Sequence, residues 1–284
     1  MKLTKMHFCA AIAALIAITA ATAQASEATF TRDLVINGKG KATLTVATGA
    51  GSIHITRGPA GRIHVFGRVH AGWGGSESQV RQIAAQPPIE QTGNIVRIGA
   101  HHQNFKNNVG IDYEIQAPAD TMLDAATGAG NVNDDGVGVN AKLSTGAGSI
   151  RATGLQTGFS LQTGSGNIYA EQTGKGDVKA ETGSGSIELK NLNGGLRAQT
   201  GAGEIKVGGI PSASWQVETG MGSVEIWTGG AGLTLDASAG AGSVHCDREI
   251  VAQGTIERRH VKGQIGSGGP TVRLSTGAGS VRIH

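Results

Sequence analysis

The 284-residue chain holds two cysteines, six prolines and ten aromatic residues, and each scarcity excludes something. Cys9 lies in an N-terminal apolar run, which leaves Cys246 without a partner, so no internal disulfide is expected and Cys246 reads as a small buried hydrophobe. Few prolines and no glycine-every-third register exclude a collagen-like helix. Ten aromatics cannot centre a large core, so the interior must be built from thin aliphatic layers. No Lys/Arg block follows the chain, which removes the electrostatic footprint of a nucleic-acid binder. No run of about 20 apolar residues exists to span a bilayer as a helix.

Residues 1–25 have the plan of a secretion signal: Lys2 and Lys5 first, an apolar run from Phe8 to Ala21, then Ala23-Gln24-Ala25 as an A-x-A cleavage site. The mature chain would start at Ser26. Removing the two lysines lowers the formal charge from +3 to +1, because residues 1–25 contain no Asp or Glu. The expected location is therefore exported, in the periplasm or at the cell surface, with no integral membrane segment after signal removal.

Glycine is abundant instead, at 47 residues, and it falls in a repeat. The hexapeptide T-G-x-G-x-[I/V] starts at 48, 127, 145, 163, 182, 200, 219 and 276, with the variant AGAGSV at 239. The gaps are 79, 18, 18, 19, 18, 19, 20 and 37 residues, so one unit takes 18–20 residues, and the two long gaps read as about four units and two. Around each glycine corner the apolar residues alternate with polar ones, as in Val178, Ala180, Thr182 and then Ile187, Leu189, which is strand, tight turn, strand. A strand pair cannot bury its apolar side alone. Stacking the units in register predicts an all-β, single-chain parallel β-solenoid (β-helix) with two short strands per rung and up to 13 rungs in residues 26–284.

Within that single domain, residues 26–120 are expected to form a cap and irregular rungs with a short helical excursion over 76–85, and 121–284 the regular rungs. Ser76 caps that helix and Pro87-Pro88 stops it. The corner threonines form one column, expected to pair their hydroxyls. Ser52, Asn131, Ser149, Asn167, Ser186, Ser223, Ser243 and Ser280 form another, interrupted by Glu204 and expected to bond from rung to rung. At the far end the chain stops at His284 inside a strand with no evident cap, which predicts end-to-end association of copies.

The glycines do not mark a nucleotide site: no G-K-[ST] follows them, no helix follows the turn, and nine copies exceed one site's needs. No G-x-S-x-G elbow, H-E-x-x-H motif or aspartate column occurs, so no catalytic, cofactor or metal residues are assigned. The outward column Arg151, Tyr169, Glu188, Lys206, Glu225, His245 alternates in charge and reads as a self-paired solvent face. Exposed Trp227 and Tyr169, with His54 and His64 on nearby strands, are the candidate ligand-face residues. The partner they suggest is a cell-surface or extracellular polymer, glycan or protein.

The repeats, with the segment IDYEIQAPADTMLDAATGAGNV (Ile111 to Val132) in which Pro118 ends a strand before the rungs begin, resemble a bacterial putative-adhesin family of β-strand-repeat proteins that carry a domain of unknown function. The likeness covers Phe30 to His284. It implies a non-catalytic, exported or cell-envelope β-solenoid, and it carries over no functional residues. A carbohydrate-active enzyme and a self-assembling structural element are the alternative readings.

Overall fold

The structure, a computed structural model, describes residues 27–37, 41–72, 74–99 and 109–284, and the side chains of all of these except 252–256. The signal segment, Trp73, His101 and His102 lie outside the described residues. The chain is all-β and solenoid-like. Strands that precede a glycine corner, such as Thr43–Ala50, Met122–Ala129 and Phe159–Ser165, build a first wall. Strands that follow a corner, such as Ile53–Arg57, Val132–Asp135 and Ile168–Gln172, build a second.

Along the first wall Thr48 lies opposite Thr127, and Thr127, Thr145, Thr163, Thr182, Thr200 and Thr219 follow one another in parallel register. The two-residue alternation therefore turns every inward residue onto its counterpart. Ala125, Ala180 and Ala198 line the first wall, with Ile150, Ile168 and Ile187 on the second, all 1% exposed or less. Each buried isoleucine contributes about 1.5–3 kcal/mol relative to exposure.

The corners hold the register. Thr127 Oγ1 donates to the Gly51 carbonyl at 2.8 Å, and Thr145, Thr163 and Thr276 repeat the bond at 2.8 Å to Gly130, Gly148 and Gly222. The threonine hydroxyls thus bond the neighbouring corner's backbone rather than one another, because the left-handed second glycine turns its carbonyl toward them. That glycine has φ +148° at 148, a region costly for a residue with a Cβ. The Ser/Asn column does bond from rung to rung, but through backbone: Asn131 Oδ1 accepts from Ser149 N–H at 2.9 Å, and Asn167 Oδ1 from Ser186 N–H at 2.8 Å.

Three expectations fail on connectivity. The 79-residue gap does not hold about four stacked units: Thr43–Ala50 pairs directly with Met122–Ala129, and among the described residues of the gap only Ile95–Ile98 and Val109–Ala117 stack in parallel, on Thr43–Ala50 and Ile53–Arg57. The intervening chain instead builds a mixed-direction end. In it Arg62–Ala71 runs antiparallel to both Glu27–Val35 and Val109–Ala117. The 37-residue gap is no double rung either. It contains the antiparallel hairpin Ile250–Glu257 and His260–Ile265, which folds back on Leu233–Ala241. The last strands then return into the stack: Thr271–Ala278 lies between the second half of Ile205–Met221 and Leu233–Ala241, and Val281–Ile283 between Val224–Trp227 and Val244–Cys246. The C-terminal strand thus has both edges paired and offers none for end-to-end association. The sheet is mixed, parallel through the repeats and antiparallel at both ends, and the nine corners replace the 13 rungs expected from length.

Helix Glu77–Ala85 forms where its signals place it, with Ser76 and Gln79 closing a capping box. Its Val80 and Ile83 are buried against Glu27–Val35 and Arg62–Ala71, so the excursion closes that end of the core. On the side opposite the corners, buried Gln172 donates to the carbonyls of Thr157 (3.2 Å) and Gly176 (3.1 Å) and accepts from Asn193 N–H (2.8 Å). Cys246 is half-buried rather than buried, and burial pushes its thiol pKa up.

One inward position carries a carboxylate. Asp134, 2% exposed, lies in register with Ile55 and Ala152. Its Oδ1 accepts from Val137 N–H at 3.2 Å and its Oδ2 has no partner. Burial drives its pKa from 3.8 up to about 8.

Two predictions follow from this packing. A Cβ at Gly146 would sit 2.5 Å from the Gly128 carbonyl oxygen, whereas at Gly49 it meets nothing within 4 Å. In urea unfolding, Gly146→Ala should lose about 1–3 kcal/mol and Gly49→Ala should stay within about 0.5 kcal/mol of the parent; equal losses would refute the close-approach account. The folded state also holds a proton on Asp134 that the unfolded chain releases between pH 3.8 and about 8. Stability should therefore fall as pH rises through that window. Asp134→Asn should flatten the dependence and raise Tm by several degrees above pH 8, and a parallel pH profile for both proteins would count against it.

Candidate functional site

The register decides which outward side chains meet. On the second wall one row reads Phe66, Glu114, His54, Asn133, Arg151, Tyr169, Glu188, Lys206, Glu225, Arg282, His245 across neighbouring strands. The repeat period alone orders this row from Arg151 to Glu225. Arg282 escapes that order, because only the returning last strand inserts it between Glu225 and His245.

Tyr169 is occupied. The Arg151 guanidinium lies 4.4 Å over its ring and Lys190 Nζ 5.1 Å from the ring centre, while Lys190 also pairs with Glu188 at 2.8 Å. The hydrogen bond from Lys190 to Glu188 is the main cause that raises the ammonium's pKa. Trp227 is 41% exposed and stacks on His284, with ring centres 5.1 Å apart and planes 9° from parallel. His284 in turn sits between two carboxylates, Nε2 at 2.9 Å from Glu225 and Nδ1 at 2.8 Å from Asp247. Asp247 also meets His245 at 2.8 Å. Nothing in the linear sequence places residue 284 beside 225 and 247; the inserted strand does.

His54 and His64 stand on either side of Val109–Ala117 and line one hollow with Thr56, Phe66, Glu114 and Gln116. His64 Nδ1 is 2.9 Å from Asp33, whose pKa is lowered chiefly by that hydrogen bond. The structure thus brings the two histidines together and leaves Tyr169 and Trp227 elsewhere on the same wall.

The first wall carries a trough of about 600 Å³. Its side is the row Gln162, Glu181, Gln199, Glu218, each the residue before a corner threonine, and Gly183, Gly201 and Gly220 line it where side chains are absent. The row is internally tied: Gln199 Nε2 donates to Glu218 at 2.8 Å, Gln216 Nε2 to its other oxygen at 2.7 Å, and Lys179 pairs with Glu181 at 2.9 Å. The position before each corner threonine was open to inspection in the sequence, and its Gln/Glu alternation is the signal that could have found this trough.

Among the described residues, no group of three or more His, Cys, Asp or Glu is arranged to hold a metal ion, and no helix is long and apolar enough to cross a membrane. The chemistry on display is hydrogen bonding and charge pairing across rungs.

Stacked corners, two polar walls and capped ends define a β-solenoid-like repeat protein. The chain belongs to the Toastrack family DUF4097, whose model matches residues 91–284, and that family's domain has no assigned function. Solved structures similar to it include a putative cell adhesion protein from Clostridium sporogenes (16% identity, 90% of this chain and 98% of that one, TM-score 0.29). Others are putative adhesins from Bacteroides fragilis (14%, 90% and 97%, 0.38) and from Parabacteroides distasonis (12%, 90% and 97%, 0.41). No curated protein matches the chain.

His284→Ala would uncover one face of Trp227 and leave Glu225 and Asp247 without their common partner. Acrylamide quenching of tryptophan fluorescence should increase, and stability should drop by about 1 kcal/mol or less, as for a partly exposed ion pair; unchanged quenching would show that the stack does not persist in solution.

Proposed function

We propose that this chain is an exported, non-catalytic binding protein of adhesin type, working in the periplasm or at the cell surface, that holds an extended envelope or extracellular polymer along its walls. One observation carries the reading: polar side chains stand in rows at the rung spacing, Arg151 to His245 on the second wall and Gln162 to Glu218 on the first, so a long partner meets hydrogen-bonding groups at each of these rungs. The charges in those rows are largely spent on one another, as in Arg151–Tyr169–Lys190–Glu188 and Lys179–Glu181. That favours a preorganised surface over a reactive one.

A second reading, a carbohydrate-active enzyme, draws on Glu225, Asp247 and Trp227 lying close together. Both carboxylates share one imidazole, however, and neither is held apart as a free acid or nucleophile. The test is an array of glycans and envelope polymers probed with residues 26–284, with each hit assayed for cleavage. Binding without cleavage is expected. For a hit on the second wall, Trp227→Ala should weaken binding about tenfold or more; for one in the first-wall trough, Glu218→Gln should do so. Cleavage of a bound polymer would move the assignment to the enzyme, and no hit on any polymer would remove the polymer as the ligand.

A further inference from the structure

From Arg151 to Glu225 along the second wall each outward side chain of the row is already engaged by a neighbour. The hollow beside the antiparallel end is different. Three adjacent strands, Arg62–Ala71, Val109–Ala117 and Ile53–Arg57, present two short rows of outward residues there: Phe66, Glu114, His54 in one, and His64, Gln116, Thr56 in the next. Together they line a hollow of about 510 Å³, within the size range of small-molecule sites.

Among the described residues, His64 alone of the hollow's polar groups has a side-chain partner. Asp33 holds its Nδ1 and leaves Nε2 for a ligand. Among the described residues, Glu114, His54, Gln116 and Thr56 make no side-chain hydrogen bond or ion pair, in contrast with Glu181, Glu188, Glu218 and Glu225 farther along the stack. Four unspent hydrogen-bonding groups and one half-spent imidazole therefore face the same small volume, beside the partly exposed ring of Phe66.

We propose that this hollow is a binding site for a neutral sugar ring. The group inventory selects that class. A carboxylate, an amide, a hydroxyl and two imidazoles supply both acceptors and donors at several angles, which suits a ligand that itself carries several hydroxyls. Phe66 offers the apolar surface on which the C–H face of a pyranose lies. The Glu114 carboxylate opposes an anionic ligand, and the described residues include no cluster arranged for a metal ion. Fixing the Nδ1 side of His64 through Asp33 removes orientational freedom before the ligand arrives, which lowers the ordering cost of binding. The inference rests on the reading of the protein as a non-catalytic binder, but it concerns a different place from the trough and from Trp227.

The test titrates the 13C-labelled protein, residues 26–284, with millimolar methyl glycosides of glucose, galactose, mannose and N-acetylglucosamine, reading the His54, His64 and Phe66 ring resonances by NMR. At least one glycoside should shift those three and leave the Trp227 and Tyr169 rings still. Phe66→Ala and Glu114→Gln should each weaken that binding at least about tenfold, the loss of one well-made contact. Both substitutions are at outward positions, and backbone spectra establish that each variant is folded. No shift with any of the four glycosides overturns the proposal, as do shifts that survive both substitutions or that centre on Trp227. Polymer binding on the array with silent hollow resonances would sink the sugar site alone, whereas hollow shifts without array hits would sink the polymer reading alone.

Discussion

The fold depends on how closely successive corners approach one another. At every corner except the first, where Gly49 faces open space, the first glycine has no room for a Cβ against the glycine carbonyl of the neighbouring corner. The second adopts a backbone conformation that turns its own carbonyl to the next threonine hydroxyl. Backbone contact and side-chain hydrogen bond thus fix the same register. Once it is fixed, a slip by one residue would put every inward aliphatic on the solvent side, so core and corners enforce each other.

The ends need different chemistry, because a parallel stack leaves open edges and an open core. Antiparallel strands, a capped helix at one end and a hairpin at the other supply it. Histidine follows the same division. None occurs between His102 and His245. Among the described residues, His64, His70, His260 and His284 each meet a carboxylate on a different strand near one end of the stack. The regular rungs are tied instead by lysine and arginine pairs such as Lys179–Glu181 and Lys206–Glu204. Both regions with notable outward chemistry, the His54/His64 hollow and the Trp227/His284 cluster, lie where the connectivity departs from a simple coil.

The repeat made the corners, the direction of the inward side chains in the regular units and most of one outward row legible, since each follows from a local period of two and a glycine at a fixed offset. Trp215 inward, with its Nε1 donating to Gly194 at 2.9 Å, and Trp227 outward both follow that frame. The helix at 77–85 was legible from its cap. Phe66, Glu114 and Gln116 are not a group in the linear sequence, because nothing in the order of the chain says that Arg62–Ala71 pairs with Val109–Ala117 across a long excursion. His284 beside Glu225 and Asp247 was hidden for the same reason.

Residue order by itself determined the unit: its length, its corner, and which side of each strand faces the core, all of them consequences of backbone geometry within about twenty residues. Which unit lies on which was decided only in three dimensions. A strand edge accepts any partner that satisfies its hydrogen bonds and covers its apolar side, so the last two strands could enter between earlier ones, and a long excursion could leave Thr48 directly against Thr127.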